Sequence, residues 1–201
     1  MPDYNVIADV STTLETVLTD AYVALDPHGT PPVAVISDLQ GPISTNPARM
    51  TLFLFETVED PSARNRPKVR VVPPPPPATG LAFKKPPMAL LLRYMLTPWS
   101  GDRLTDHKLV GRTLQVLYDG AILSGTQLQG TSLSGTDQAL KVTLSPLTLE
   151  ERARVWYAIE KPYRLSLTYE VRVVNLDAEA VDLIEPVSQR SLKYLGPEAA
   201  Q

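Results

Sequence analysis

Apolar positions along the chain recur at two spacings. Between Asn5 and Leu25 they fall at Val6, Ile7, Val10, Leu14, Val17, Leu18 and Leu25, with Glu15 and Asp20 on the opposite side. Intervals of three and four residues put apolar groups on one helical face and predict a helix over 5–25, closed by "HGTPP". Val33 to Ile36 predicts a short strand. Thr51 to Val58, "TLFLFETV", starts apolar on both faces and predicts a central strand. "MALLLRYML" predicts another, held to strand length by Pro86, Pro87 and Pro98. Thr105 to Tyr118 predicts a helix with His107, Val110, Leu114, Leu117 and Tyr118 on its inner face, stopped at Asp119-Gly120. Leu140, Val142 and Leu144 then alternate with Lys141 and Thr143, a strand with one buried face. Thr148 and Glu151 have the spacing of a helix capping box, and Ala153, Trp156 and Ile159 mark the inner side of the helix that follows. Pro162 ends it. From Tyr163 to Val173, six apolar or aromatic positions alternate with five polar ones, which predicts a strand about 36 Å long. Together these elements predict an α+β fold: a mixed or antiparallel sheet with three main helices packed on it.

Between the second helix and the alternating strand lies "LSGTQLQGTSLSGTD", three near-copies of Leu-x-Gly-Thr-x. Three short units cannot stack into the continuous core a solenoid needs. A phosphate loop would require Gly-x-x-x-x-Gly-Lys-Ser/Thr before a helix, whereas here no Lys follows and a strand comes next. The stretch therefore reads as a connector. Leu123, Leu128 and Leu133 would tuck against the domain while each Gly-Thr turns the chain.

A second irregular segment interrupts the pattern between the strands at 51–58 and 88–96. Nine prolines fall between Pro61 and Pro87, five of them consecutive, among the basic residues Arg64, Arg66, Lys68, Arg70, Lys84 and Lys85. Proline lacks the backbone N–H and locks φ, so the run cannot join a helix or central strand and favours a stiff extended rod. The segment is expected to be a projecting basic insertion at about 60–87, solvated or reaching an acidic partner. The chain is then one domain over 1–201, with this insertion and a short C-terminal tail at about 186–201.

Composition narrows the function. The 201 residues are 43% hydrophobic and 20% charged, with net charge -3. These are the proportions of an ordinary globular chain, without the basic field that draws proteins to nucleic acid. There is no cysteine, hence no disulfide scaffold or thiolate metal site. The N-terminus lacks the basic start and apolar run of a signal peptide, and no apolar stretch approaches the ~18 residues of a membrane span. Neither histidine sits in a recognisable catalytic motif. His28 lies in a Pro-His-Gly turn and His107 beside Asp106, and no Gly-x-Ser-x-Gly elbow is present. No metal site and no cofactor are expected.

"DHKLVGRTLQVLYDGAILSGTQLQG" and "ALKVTLSPLTLEERARVWYAIEKPYRLSLTYEVRVV", with the upstream "MTLFLFETV", "PPMALLLRYMLTPWS" and "VIADVSTTLETVL", resemble cap proteins of contractile injection systems. These are phage-tail-like particles of the antifeeding-prophage and virulence-cassette kind. The proline-rich segment departs from that pattern. The resemblance implies a structural, non-enzymatic tail-terminator role. A ring of copies, expected to be six, would sit on the distal end of the inner tube and sheath and stop polymerisation. Its partners would be further copies of itself, the inner tube protein and the sheath protein, with no nucleic acid and no membrane insertion. Assembly would be cytoplasmic, within a particle that is released or membrane-attached. Candidate partner contacts are Arg64, Arg66, Lys68, Arg70, Lys84, Lys85, Arg164 and Arg172. Two alternatives remain open at this point: a baseplate or adaptor component of the same particle, and a small hydrolase using His107, Asp106 and a serine such as Ser100.

Overall fold

The computed structural model describes residues 2–72, 81–184 and 190. These form two compact units, one built from the chain up to Asn65 and from Pro87 to Asp177, the other from Arg66–Pro86 and the chain after Ala178.

The larger unit holds helix α1 (Val6–Tyr22), strands β1 (Val33–Ile36) and β2 (Arg49–Glu59), strand β5 (Met88–Trp99), helix α2 (Arg103–Asp119), strands β6 (Ile122–Ser124) and β7 (Ala139–Leu144), helix α3 (Leu149–Ala158) and strand β8 (Leu167–Leu176). The smaller unit holds strands β3 (Val69–Val71), β4 (Leu81–Lys84) and β9 (Val181–Ile184). The expected α+β fold, a mixed sheet with three main helices, is what the chain adopts. The strands of the larger unit form one sheet in the order β1-β2-β5-β8-β7-β6, antiparallel except for the β1–β2 pair.

Alternation along the strands decides what each face meets. Leu52, Leu92, Tyr94, Leu96, Val142 and Val171 face α1 and α2, where Val10, Leu14, Leu18, Leu109 and Leu117 close the main core. On the opposite face Met95 and the partly buried Phe53 and Phe55 meet Trp156 of α3 and Ile159, the residue that caps it, together with Leu39. The predicted anchor Trp156 is 1% exposed, and its indole N–H donates to Ser166 Oγ at 3.3 Å. The capping box forms as predicted: Glu151 N–H donates to Thr148 Oγ1 at 3.2 Å, and Thr148 N–H donates to Glu151 Oε2 at 2.7 Å.

The repetitive connector behaves as its leucines predict. Leu123, Leu128 and Leu133 are all buried, and Gly125, Gly130 and Gly135 all take positive φ, at 60°, 88° and 71°. Helix α1 holds the connector through side chains that its apolar stripe did not disclose. Thr13 Oγ1 accepts from Gln129 N–H at 3.0 Å, and the buried Asp9 carboxylate accepts from Ser132 N–H at 2.6 Å.

Several expectations change. The buried face of α2 runs through Asp106, Leu109, Thr113 and Leu117, while His107 and Tyr118 are exposed. Two of those inner positions are polar and are satisfied by distant partners, so apolar periodicity misplaced the face. Ala153 is exposed, because α3 touches the sheet only through its C-terminal half. Leu25 is exposed as well, in a single turn of 3₁₀ helix after α1, and Tyr22 fills the inner position instead. Strand β5 runs through Pro98 to Trp99. Pro98 lies past Leu96, the last residue of β5 paired with β8, so donors are needed on one side only. Strand β8 begins at Leu167, four residues later than predicted, with Tyr163 and Leu165 half-exposed. It lies fourth in the sheet between β5 and β7, so it offers no free edge for pairing with another chain.

In the smaller unit, β4 is central and β3 and β9 flank it, all antiparallel. The two flanks of the proline-rich segment thus supply paired strands. The run Pro73–Pro77 itself, and the C-terminal tail apart from Arg190, lie outside the described residues.

Candidate partner-binding surfaces

The eight basic candidates fall into different settings. In the smaller unit, residues directly opposite in register share a face. Arg70, Phe83 and Asp182 therefore line one face, and Lys68 donates to Asp182 Oδ2 at 2.6 Å there. The bond and charge of Lys68 hold the Asp182 carboxyl below its usual range. Lys84 pairs with Val69 and Val181 and so projects on the opposite face. Arg66, Arg70 and Lys85 are exposed and, like Lys84, make no ion pair among the described residues. Arg64 belongs to the larger unit, where its Nε donates to Glu59 Oε2 at 3.0 Å.

The other two arginines are committed within the larger unit. Arg164 stacks over Trp99, its Cζ 4.2 Å from the ring centroid, and its Nη2 lies 3.3 Å from both Pro98 O and Asp106 Oδ2. Strand β5, helix α2 and the lead-in to β8 are thereby tied at one point. Ser100 completes it, its Oγ 2.8 Å from Asp106 Oδ1. The imidazole of His107, exposed on the next position of α2, makes no hydrogen bond among the described residues, so serine and carboxylate meet without the histidine a hydrolytic triad would place between them.

Arg172 belongs to an ionic strip on the α3 side of the sheet that sequence reading missed. Glu170, 9% exposed, accepts from Arg93 Nε at 3.0 Å and from Arg172 Nη2 at 2.9 Å, and Arg93 also bonds Glu56. Burial raises the Glu170 pKa, but hydrogen bonds and charges from Arg172 and Arg93 outweigh it and leave the carboxyl below its ordinary range. Arg93 is raised: burial works against its charge, and the two glutamates more than compensate. The register Glu56↔Arg93↔Glu170 across β2, β5 and β8 produces the strip, and no spacing along the chain signals it.

Two grooves open on the larger unit. One, of about 600 Å³, runs between the end of α2 and β7 and is bounded by Leu114, Leu117, Tyr118, Val142, Leu144 and Tyr169. The other, of about 520 Å³, lies beside Trp99 and Arg164, with Pro42, Ile43, Arg103 and Lys161 around it. Among the described residues no cluster of His, Cys, Asp or Glu could hold a metal ion, and no helix is long and apolar enough to cross a membrane.

The fold has solved counterparts. It is similar to a sheath/tube terminator, in its extended state, of the extracellular contractile injection system PVC, with a TM-score of 0.60 and 20% identity over 97% of this chain and 65% of that one. It is also similar to the anti-feeding prophage cap, a tube-terminating cap, with a TM-score of 0.56 and 15% identity over 93% of this chain and 61% of that one. At these identities the likeness is one of fold, and the chain spans just under two thirds of the length of either counterpart. No curated protein sequence matches it. The model of the Pvc16 N-terminal domain matches residues 9–190, a span that runs from within α1 past β9, and the chain belongs to that family.

Proposed function

We propose that this protein is a structural, non-enzymatic cap that terminates the inner tube and sheath at the distal end of a contractile injection particle. The observation that carries this reading is the likeness to a sheath/tube terminator along 97% of the chain, within a family match over residues 9–190. A tube of stacked rings ends in a surface that invites another ring. A closed ring of caps can match that surface on one face and present something different on the other, so the stack stops. Six copies would match the tube, with tube and sheath proteins as partners. Assembly would take place in the cytoplasm, and the particle would then be released or membrane-attached.

Arg66, Arg70, Lys84 and Lys85 are the basic candidates best placed for partner contacts, because no ion pair among the described residues engages them. Arg64, Lys68, Arg164 and Arg172 already serve acidic groups of the same chain. The test is electron microscopy of particles assembled without this gene product. Tubes or sheaths of irregular length, or no stable particles, are expected. Closed particles of normal length, or labelled protein found only at the baseplate end, would overturn the cap reading and favour the adaptor alternative.

A further inference from the structure

We propose that the groove beside Trp99 and Arg164 is a docking site for an acidic segment of a protein partner. A carboxylate of that segment would meet Arg103 and Lys161, and a neighbouring apolar side chain would lie against Trp99 and Ile43.

Charge selects the occupant. Three cationic residues, Arg103, Lys161 and Arg164, line the groove, and no Asp or Glu does. The chain as a whole carries a net charge of -3, so the groove is a local reversal of sign. The Arg164 charge is answered from within, by Asp106 Oδ2 at 3.3 Å. Arg103 and Lys161 make no ion pair among the described residues. Asp102, next to Arg103, is engaged as the cap of α2, where it accepts from Thr105 N–H at 3.0 Å. Glu160, next to Lys161, is exposed and stands outside the lining. Two cations on one concavity repel each other, and a carboxylate brought between them relieves that repulsion.

The apolar part of the lining points to a polypeptide rather than a free anion. Trp99, Ile43 and Tyr163 stand beside the cations, and Tyr163 is 44% exposed. Inorganic phosphate would use the charges and leave those surfaces in water, whereas a peptide segment would cover both. A nucleic acid would bring its repeated phosphates against Asp102 and Glu160, which flank Arg103 and Lys161 in the chain. The volume of about 520 Å³ lies within the usual range for binding clefts. The walls are set before anything binds. Arg164 is fixed by its stack on Trp99 and by Pro98 O, and the Trp99 indole N–H donates to Thr51 Oγ1 at 2.9 Å. The two loops that bound the groove each pass through a non-glycine residue at positive φ, Leu39 at 63° and Glu160 at 56°, the only two among the described residues. Strained turns of this kind persist where packing over-determines them, and Leu39 is fully buried in the second core. A cleft shaped in advance loses less conformational freedom on binding.

The site lies within the larger unit and its test needs no particle, so it stands or falls apart from the cap reading. Acetyl-Asp-Leu-Asp-amide is titrated into the full-length protein while the Trp99 indole N–H and Ile43 methyl resonances are followed. Saturable shifts in the millimolar range are expected, weakening severalfold as NaCl rises from about 0.01 to about 0.15 M. Acetyl-Asn-Leu-Asn-amide should bind about tenfold more weakly. Arg103→Gln/Lys161→Gln should lower affinity for the acidic peptide about tenfold with the melting temperature unchanged, since neither side chain serves an internal ion pair. Lys108→Gln, at an exposed position of α2 outside the groove, should leave binding as it is. Absence of saturable shifts, equal binding of the two peptides, undiminished binding by the double variant, or inorganic phosphate binding as tightly as the acidic peptide would each overturn the assignment. So would self-association of the free protein that the double variant abolishes, because a second copy would then fill the groove.

Discussion

The three glycines of the repetitive connector provide a comparison with its own controls. All three have positive φ, where an L-residue carries a backbone penalty of roughly 1–2 kcal/mol. At Gly125 and Gly135 an added Cβ would meet nothing within 4 Å, so Gly→Ala should cost about that much and no more. At Gly130 the Cβ would fall on the Asp9 carboxylate. That carboxylate is 7% exposed and accepts from Ser132 N–H at 2.6 Å, so it can move aside only by giving up the bond. A hydrogen bond to a charged acceptor contributes about 1.5–3 kcal/mol, which with the backbone penalty brings the expected cost of Gly130→Ala to about 2.5–5 kcal/mol. Urea unfolding followed by circular dichroism would measure the three variants side by side. A Gly130→Ala/Asp9→Ala double variant closes a cycle: without the carboxylate, the glycine substitution should cost only the backbone penalty. If Gly130→Ala falls within about 0.5 kcal/mol of Gly125→Ala, or if the cycle shows no coupling, the steric account is wrong.

Further outcomes follow from the same structure. Trp156→Ala should lower stability by about 3–5 kcal/mol, since it empties the centre of the second core and removes the donor to Ser166; an unchanged melting curve would show that α3 is held some other way. Replacing residues 66–86 by a short Gly-Ser linker should leave the larger unit folded, because Glu59 and Leu90 already stand opposite in register and a short turn can join their strands; loss of its circular dichroism signal would refute this. Glu170 has a depressed folded-state pKa, so its stabilisation is present above the ordinary carboxyl value of 4.5 and is lost as pH falls through the lower folded value. Urea midpoints should therefore decline below about pH 4.5 and less steeply for Glu170→Gln; identical pH profiles would remove Glu170 from the account.

Helix and strand positions were legible in the sequence because local periodicity records which side of an element is covered. The stripe from Val6 to Leu18, the alternation of Leu140 and Val142, the Thr148–Glu151 capping box and the three connector leucines all reappear where the pattern put them. The likeness in fold to the terminator and cap structures was legible for the same reason, as a resemblance in sequence patterns along nearly the whole chain. What covers each face is a different matter, settled by residues far apart in the chain. Asp106 is buried because Arg164 and Ser100 reach it, and Thr113 because Tyr22 does, so polar positions turned inward and shifted the face of α2. Glu170 reads as an ordinary solvent-side residue until β2, β5 and β8 align it with Arg93 and Glu56. Strand β8 is enclosed by β5 and β7, a placement its own alternation does not record. Tyr169 reads as one more inward aromatic, and only the packed structure shows that it also borders the groove between α2 and β7. A side chain's own chemistry and its immediate neighbours fix its preference for water or interior, but a hydrogen bond or ion pair needs both partners in place, and tertiary packing alone brings them together.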